Sequence, residues 1–414
     1  MKKRMFLVLL VLSILPLLVC AQSVKSIMRR GQFLPPQQSI AISTVIEKGY
    51  YFATNVSVNG SSIDGLFLID TGAEYSILSQ SIAQQLQIKS LGITAISDGF
   101  QSRSDHYGIV DISIDSAHFS QIGVVMVPDT LLGLGVFCDV QGIIGSNILK
   151  HAIWHFDLGK LTILKSIDGV VGYKRQPLLL HGLTKGVPSI LVGINKPRGT
   201  FLFDTGDNGL ITINKWLLEH ILNKQMIEGT GRAVQTLFGD QNAVDSTSYW
   251  ACKSDTFYVA GLKLVNPVVN VEDNSEPPVV GNDFFNYFET ILDYPGEQFL
   301  VKQICAEYPD FKWHRLGMKV VLEGGKLFVG FVWKNSNAYR QGVRPGLRIM
   351  RINGLDAHHS FTGPSCDLHH LVDGELEKDT VTFVFEGQDK EVLISKAYLF
   401  SGFSPLNKPN DWKK

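Results

Sequence analysis

Cysteine is scarce in this chain, with five among 414 residues, at positions 20, 138, 252, 305 and 366. No two have C-x-x-C spacing, which excludes a paired-cysteine zinc module and a thioredoxin-like redox motif. Charge of either sign is not in excess, the formal net charge being −1. That balance excludes the basic face by which a nucleic-acid partner is usually recognised. Past the first twenty residues, no apolar run is long enough to span a membrane. Neither G-D-S-G-G nor G-x-S-x-G occurs, so serine hydrolase chemistry has no nucleophile motif here. His358, His359, Cys366, His369 and His370 fall close together but lack a two-pair ligand pattern. They are expected to sit on a solvated loop and helix, and no metal or other cofactor is expected.

The chain does carry enough apolar residues, 45%, for ordinary cores, and a length that suits two or three domains. It opens on Met1, Lys2, Lys3 and Arg4, followed by an apolar run from Phe6 to Val19. A positive stretch followed by such a run predicts a secretory signal over residues 1–21, with the mature chain starting at Gln22. The protein is therefore expected to be exported, periplasmic or extracellular, with lipid anchoring through Cys20 as the second choice. Removing residues 1–21 takes three positive charges and leaves a net charge of −4. Export permits disulfides among the four remaining cysteines, though buried free thiols are the default and one bridge stays open. Residues 22–40 are a polar, basic segment that reads equally as a leader or as an ordered edge strand.

The organising feature is a repeat. Gly65 to Ala73 reads GLFLIDTGA, an apolar strand running into Asp70, Thr71 and Gly72. Thr200 to Asp207 reads TFLFDTGD, with Asp204, Thr205 and Gly206 in the same places. Each triplet is followed by two aliphatics and a glycine, Ile143-Ile144-Gly145 and Val279-Val280-Gly281, at 75 and 77 residues. An asparagine comes next in both, at Asn147 and Asn282, and then a closing strand containing Asp157 or Asp293. One such triplet is ordinary turn chemistry. Two in phase, with matched downstream partners, indicate a duplicated architecture.

These residues resemble the aspartic peptidases of the retropepsin-like and pepsin-like group, over roughly residues 40–305. The resemblance implies a mainly β, bilobal double β-barrel built from repeats at 41–168 and 169–308. It implies an endopeptidase in which Asp70 and Asp204, one from each half, are the catalytic pair. Thr71 and Thr205 would cross-link the halves, Gly72 and Gly206 would permit the close turns, and Gly145 and Gly281 would pack behind the acids. A flap hairpin is expected within 95–115 and a second within Val234 to Val244. Two carboxylates held together cannot both ionise, so they would share a proton and split their titrations. Position 207 departs from the pattern, since an acid stands where the family has a small residue. Asp207 either lies near Asp204 and raises the pair's titration, or points to solvent. With both acids in one chain, the active unit is expected to be a monomer acting on polypeptide.

After a linker at Pro309 to His314, residues 315–398 resemble a PDZ domain. The similarity lies in the short helix ending at Gly342, the turn at Pro345-Gly346, and the strand closing on Asn353-Gly354. Leu316, Gly317 and Met318 resemble that family's carboxylate-binding loop, with Cys366 to Leu376 as the groove helix. This implies an α+β unit that takes a peptide C-terminus by strand addition. Residues 399–414 are expected to be a frayed tail. A secreted peptide-binding protein without catalysis is the alternative reading.

Overall fold

The fold is taken from a computed structural model. It describes residues 24–400 apart from 98–101, 133–136, 138, 195–197, 219–224, 232–248, 254–255, 273–276, 308–313, 324–325, 358–371 and 389. The signal segment, both flap tips, the linker, the five-residue His/Cys group and the polar tail therefore lie outside the described residues.

The structure is mainly β, as the pattern of short alternating runs requires. In the first half the strand Leu66–Ile69 lies parallel to Val140–Ile144, with Leu68 opposite Ile143 and Ile69 opposite Ile144. Val140–Ile144 then runs antiparallel to Ser76–Ser79, which is parallel to Ala117–Val127. The second half repeats this order. Arg198–Phe203 is parallel to Val279–Val280, which is antiparallel to Ile211–Asn214, which is parallel to Val268–Glu272. In both, the strand bearing the acid is flanked by the aliphatic-aliphatic-Gly strand, so near-continuous apolar residues are buried on both faces.

The halves meet in a six-stranded sheet whose central pair is Ile153–Asp157 against Phe288–Asp293, with Trp154 opposite Leu292. These are the two closing strands of the repeat. One apolar core runs through both halves, with Phe203 edge-on to Phe284, Phe285 and Phe299 directly beneath the second acid loop.

Residues 24–33 are neither a detached leader nor only an edge strand. A helix at 24–29 buries Met28 fully, and Gln32–Phe33 adds to the edge of Ala117–Val127. Leu399 and Phe400, at the start of the expected tail, are buried in the main core. The helix at Ser146–Leu149 is capped by Gly145, without a side-chain cap from Ser146 or Asn147, because both side chains are used elsewhere.

The C-terminal residues form β structure around a short helix, Asn337–Arg340, whose cap Ser336 accepts from the Tyr339 N–H. Their strand Lys326–Trp333 pairs with Gln225–Gly231 of the second half, Thr230 opposite Val332. A single 16-stranded sheet thus runs from the second half into the C-terminal unit.

Candidate active site

Asp70 and Asp204 stand at the ends of buried strands, each followed by a turn that folds back onto its own carboxylate. The Asp70 Oδ1 accepts from the N–H groups of Gly72 and Ala73, both at 2.9 Å. The Asp204 Oδ1 accepts from the Gly206 N–H at 2.7 Å. The two carboxyls face one another closely enough for each to bear on the other's titration. Glycine is needed in both turns. A Cβ on Gly206 would stand 2.7 Å from Asp70 Oδ2, and one on Gly72 would press closer still on the Asp204 carboxyl.

The threonines lock the two turns together symmetrically. The Thr71 N–H donates to Thr205 Oγ1 and the Thr205 N–H to Thr71 Oγ1, each at 3.0 Å. Thr71 Oγ1 donates to the Phe203 carbonyl at 2.5 Å, and Thr205 Oγ1 to the Ile69 carbonyl at 2.6 Å. All four bonds are buried, where a lost partner leaves a costly unpaired group. Each hydroxyl donates once and accepts once across the junction, so a hydroxyl is required at both positions.

Gly145 and Gly281 pack behind the turns. A Cβ on Gly145 would meet the Tyr75 backbone at 2.6 Å, and one on Gly281 the Gly209 carbonyl at 2.5 Å. The next residue on each side supports the turn. Ser146 Oγ donates to the Thr71 carbonyl and Asn282 Nδ2 to the Thr205 carbonyl, both at 2.5 Å. Their N–H groups donate to the Ala73 and Asp207 carbonyls, both at 2.7 Å. The residue that corresponds to Asn282 is therefore Ser146. Asn147 has a different task, holding Ser76 and the Gly123 carbonyl. Matching the two asparagines by identity alone hid the equivalence of a serine and an amide that make the same bonds.

The second turn differs at its third position. The Asp207 N–H donates to the Asp204 backbone carbonyl at 3.2 Å, whereas Ala73 gives its N–H to the Asp70 carboxylate. Asp70 thus keeps two donors from its own turn and Asp204 one. Burial raises both titrations, and in Asp204 the negative charge of Asp70 adds to the rise. The pair therefore titrates as a unit, its two carboxyls holding on to a shared proton to higher pH than either would alone.

Asp207 lies beside the pair. Its Oδ1 accepts from the Gly209 N–H at 2.5 Å and its Oδ2 from Thr212 Oγ1 at 3.4 Å. Burial, then the charge of Asp204, push its carboxyl up to about 6. Tyr50 completes the surroundings, and sequence reasoning missed it. Extending the register in which Phe52 faces Leu68 brings Tyr50 level with Asp70. Burial first, then the charges of Asp207, Asp204 and Asp70, push its phenol up. Its ring stands edge-on to Phe137 at 5.0 Å. Only strand register could have revealed it.

Residues 54–151 match a family model described as gag-polyprotein putative aspartyl protease. That stretch holds Asp70, Thr71, Gly72 and Gly145, so the first half of the site is aspartyl-protease-like, and the second half repeats its geometry. No curated protein matches the chain. Among solved structures, basic 7S globulin from soybean aligns at 10% identity over 64% of this chain and 94% of its own, with a TM-score of 0.39.

Leu316, Gly317 and Met318 lie in the C-terminal unit. The Leu316 side chain is buried in that unit's own core. Gly317 takes φ of +84° against Ser336, and its carbonyl accepts from the Trp333 N–H at 2.9 Å. Among the described residues no group of His, Cys, Asp and Glu could hold a metal ion. Cys252 is buried and Cys305 exposed. No described helix is long and apolar enough to cross a membrane.

Proposed function

We propose that the chain is an exported aspartic endopeptidase whose catalytic pair is Asp70 and Asp204. The observation that carries this is that two carboxyls, Asp70 buried and Asp204 half-buried, face one another from two turns cross-linked by Thr71 and Thr205. Ionised Asp70 takes a proton from a water held between the acids, and that water's oxygen attacks the carbonyl carbon of the scissile bond. Protonated Asp204 gives its proton to the carbonyl oxygen, forming a neutral tetrahedral diol. Asp70 then passes its proton to the amide nitrogen, Asp204 recovers one from a hydroxyl, and the C–N bond breaks. Atoms and charge return to their starting positions on the enzyme, and no cofactor is consumed.

Both acids come from one chain, so the active unit is a monomer. The substrate is a polypeptide in extended form, because a strand-like backbone fits a cleft between two sheets. The C-terminal unit is read as PDZ-like, with Leu316, Gly317 and Met318 holding a peptide or protein C-terminus. Incubation with an unfolded polypeptide between acid and neutral pH tests the reading. Cleavage is expected, with loss in Asp70→Asn and in Asp204→Asn. Absence of cleavage throughout that range refutes it and leaves a peptide-binding protein.

A further inference from the structure

The C-terminal unit touches both sides of the acid site. On the second half, the pairing of Lys326–Trp333 with Gln225–Gly231 is reinforced where the Lys334 N–H donates to the Glu228 carbonyl at 2.8 Å and the side chains of these two residues form an ion pair. From there the strand Met318–Glu323 brings exposed Lys319 close enough to Asp207 for its charge to bear on that carboxyl. On the first half, Lys48 Nζ meets Asp373 Oδ2, in the helical turn 372–376, at 2.6 Å. Lys48 belongs to the turn between Thr44–Glu47 and Tyr50–Ala53, and it also lies over the Phe137 ring. The next residue, Gly49, would place a Cβ 3.8 Å from Asn208, which follows Asp207. Lys48 is thus two residues from Tyr50, which feels all three acids.

These contacts make an arch: second half to C-terminal unit by strand pairing, and, among the described residues, C-terminal unit to first half by the Lys48–Asp373 ion pair. We propose that the C-terminal unit roofs the mouth of the carboxylate cleft, with Lys48 and Asp373 as the clasp that closes the roof on the first half. The inference rests on the peptidase reading for what passes beneath the roof. Its substrates are extended polypeptides with a free end to thread, and loops anchored at both ends are excluded while the clasp is shut. The clasp is weak by construction. Its side chains are 30% and 38% exposed, and pairs of that kind have small, salt-sensitive effects.

The test uses the full chain carrying Asp70→Asn and a fluorescein-labelled, randomised peptide pool in linear and head-to-tail cyclised forms. Association rates are read by anisotropy. The linear pool is expected to associate faster than the cyclic one. Lys48→Glu and Asp373→Lys should each shrink that ratio by about two- to five-fold, the reach of a part-exposed ion pair, and the charge-swapped double variant should restore it. A melting curve for each variant accompanies the rates. Equal rates for both pools, a ratio unmoved by the clasp variants, or no association by either pool overturns the roof. Cleavage by the unsubstituted chain is scored separately, so the peptidase reading and the roof can fail independently.

Discussion

Gly206→Ala is the sharpest probe of the acid pair. The added methyl would lie 2.7 Å from Asp70 Oδ2 and 2.8 Å from its Cγ. Carbon contacts settle at roughly 3.5–4.0 Å, so the carboxyl must retreat by something near 1 Å or the turn must open. Neither is free. The Asp70 carboxylate is tied to the Gly72 and Ala73 N–H groups, and the turn carrying Gly206 is tied through Thr205 to the other half. A displacement on the order of 1 Å at reacting groups costs roughly a hundredfold in rate. Overpacking of this size costs about 1–3 kcal/mol of stability. We therefore expect kcat/KM for an unfolded polypeptide to fall about a hundredfold while the chain still melts cooperatively, a few degrees lower. Gly72→Ala should be worse, because its methyl presses harder on Asp204. Paired kinetics and thermal melts check this. A Gly206→Ala chain that cleaves at the original rate would show that the two acids do not work as a fixed pair.

Thr205→Val should leave the Thr71 N–H and the Ile69 carbonyl unpaired in a buried setting, destabilising the fold by about 2–4 kcal/mol in denaturant titration. Asp70→Asn should cut turnover by at least about a hundredfold to ten-thousandfold, the span of general acid–base catalysis, with the melting temperature little changed. Asp207 carries a pH signature: folding raises its carboxyl from 3.8 to about 6, so the folded state disfavours the ionised form. Its penalty is absent below the lower value, grows as pH rises between the two, and is full above the upper one. Asp207→Asn should thus stabilise the chain by about 1–3 kcal/mol near neutral pH and by almost nothing in strong acid, read from unfolding midpoints across pH.

Much of the site was legible because its parts are local in sequence. An apolar strand, an acid, a hydroxyl and a glycine announce a buried turn, and their return 134 residues later, with aliphatic-Gly partners in phase, announces two such turns. What escaped notice depends on register or on long-range pairing. Tyr50 enters the site only because its strand lies beside Leu66–Ile69. The union of Gln225–Gly231 with Lys326–Trp333 has no periodicity of its own, since any exposed strand edge can accept another. The burial of Met28 was masked by polar and basic neighbours, though a short helix needs only one apolar face to dock.

That docked helix constrains how the protein can mature. Met28 sits against Gly123, where a Cβ would be 2.8 Å from its sulfur, and Lys150 Nζ donates to the Arg29 carbonyl at 3.0 Å. Trimming the chain past Gln32 would pull a plug from the first half and bare the edge of Ala117–Val127. The segment is therefore a built-in wall of the first half, and its removal would expose the niche of Met28 along with that strand edge.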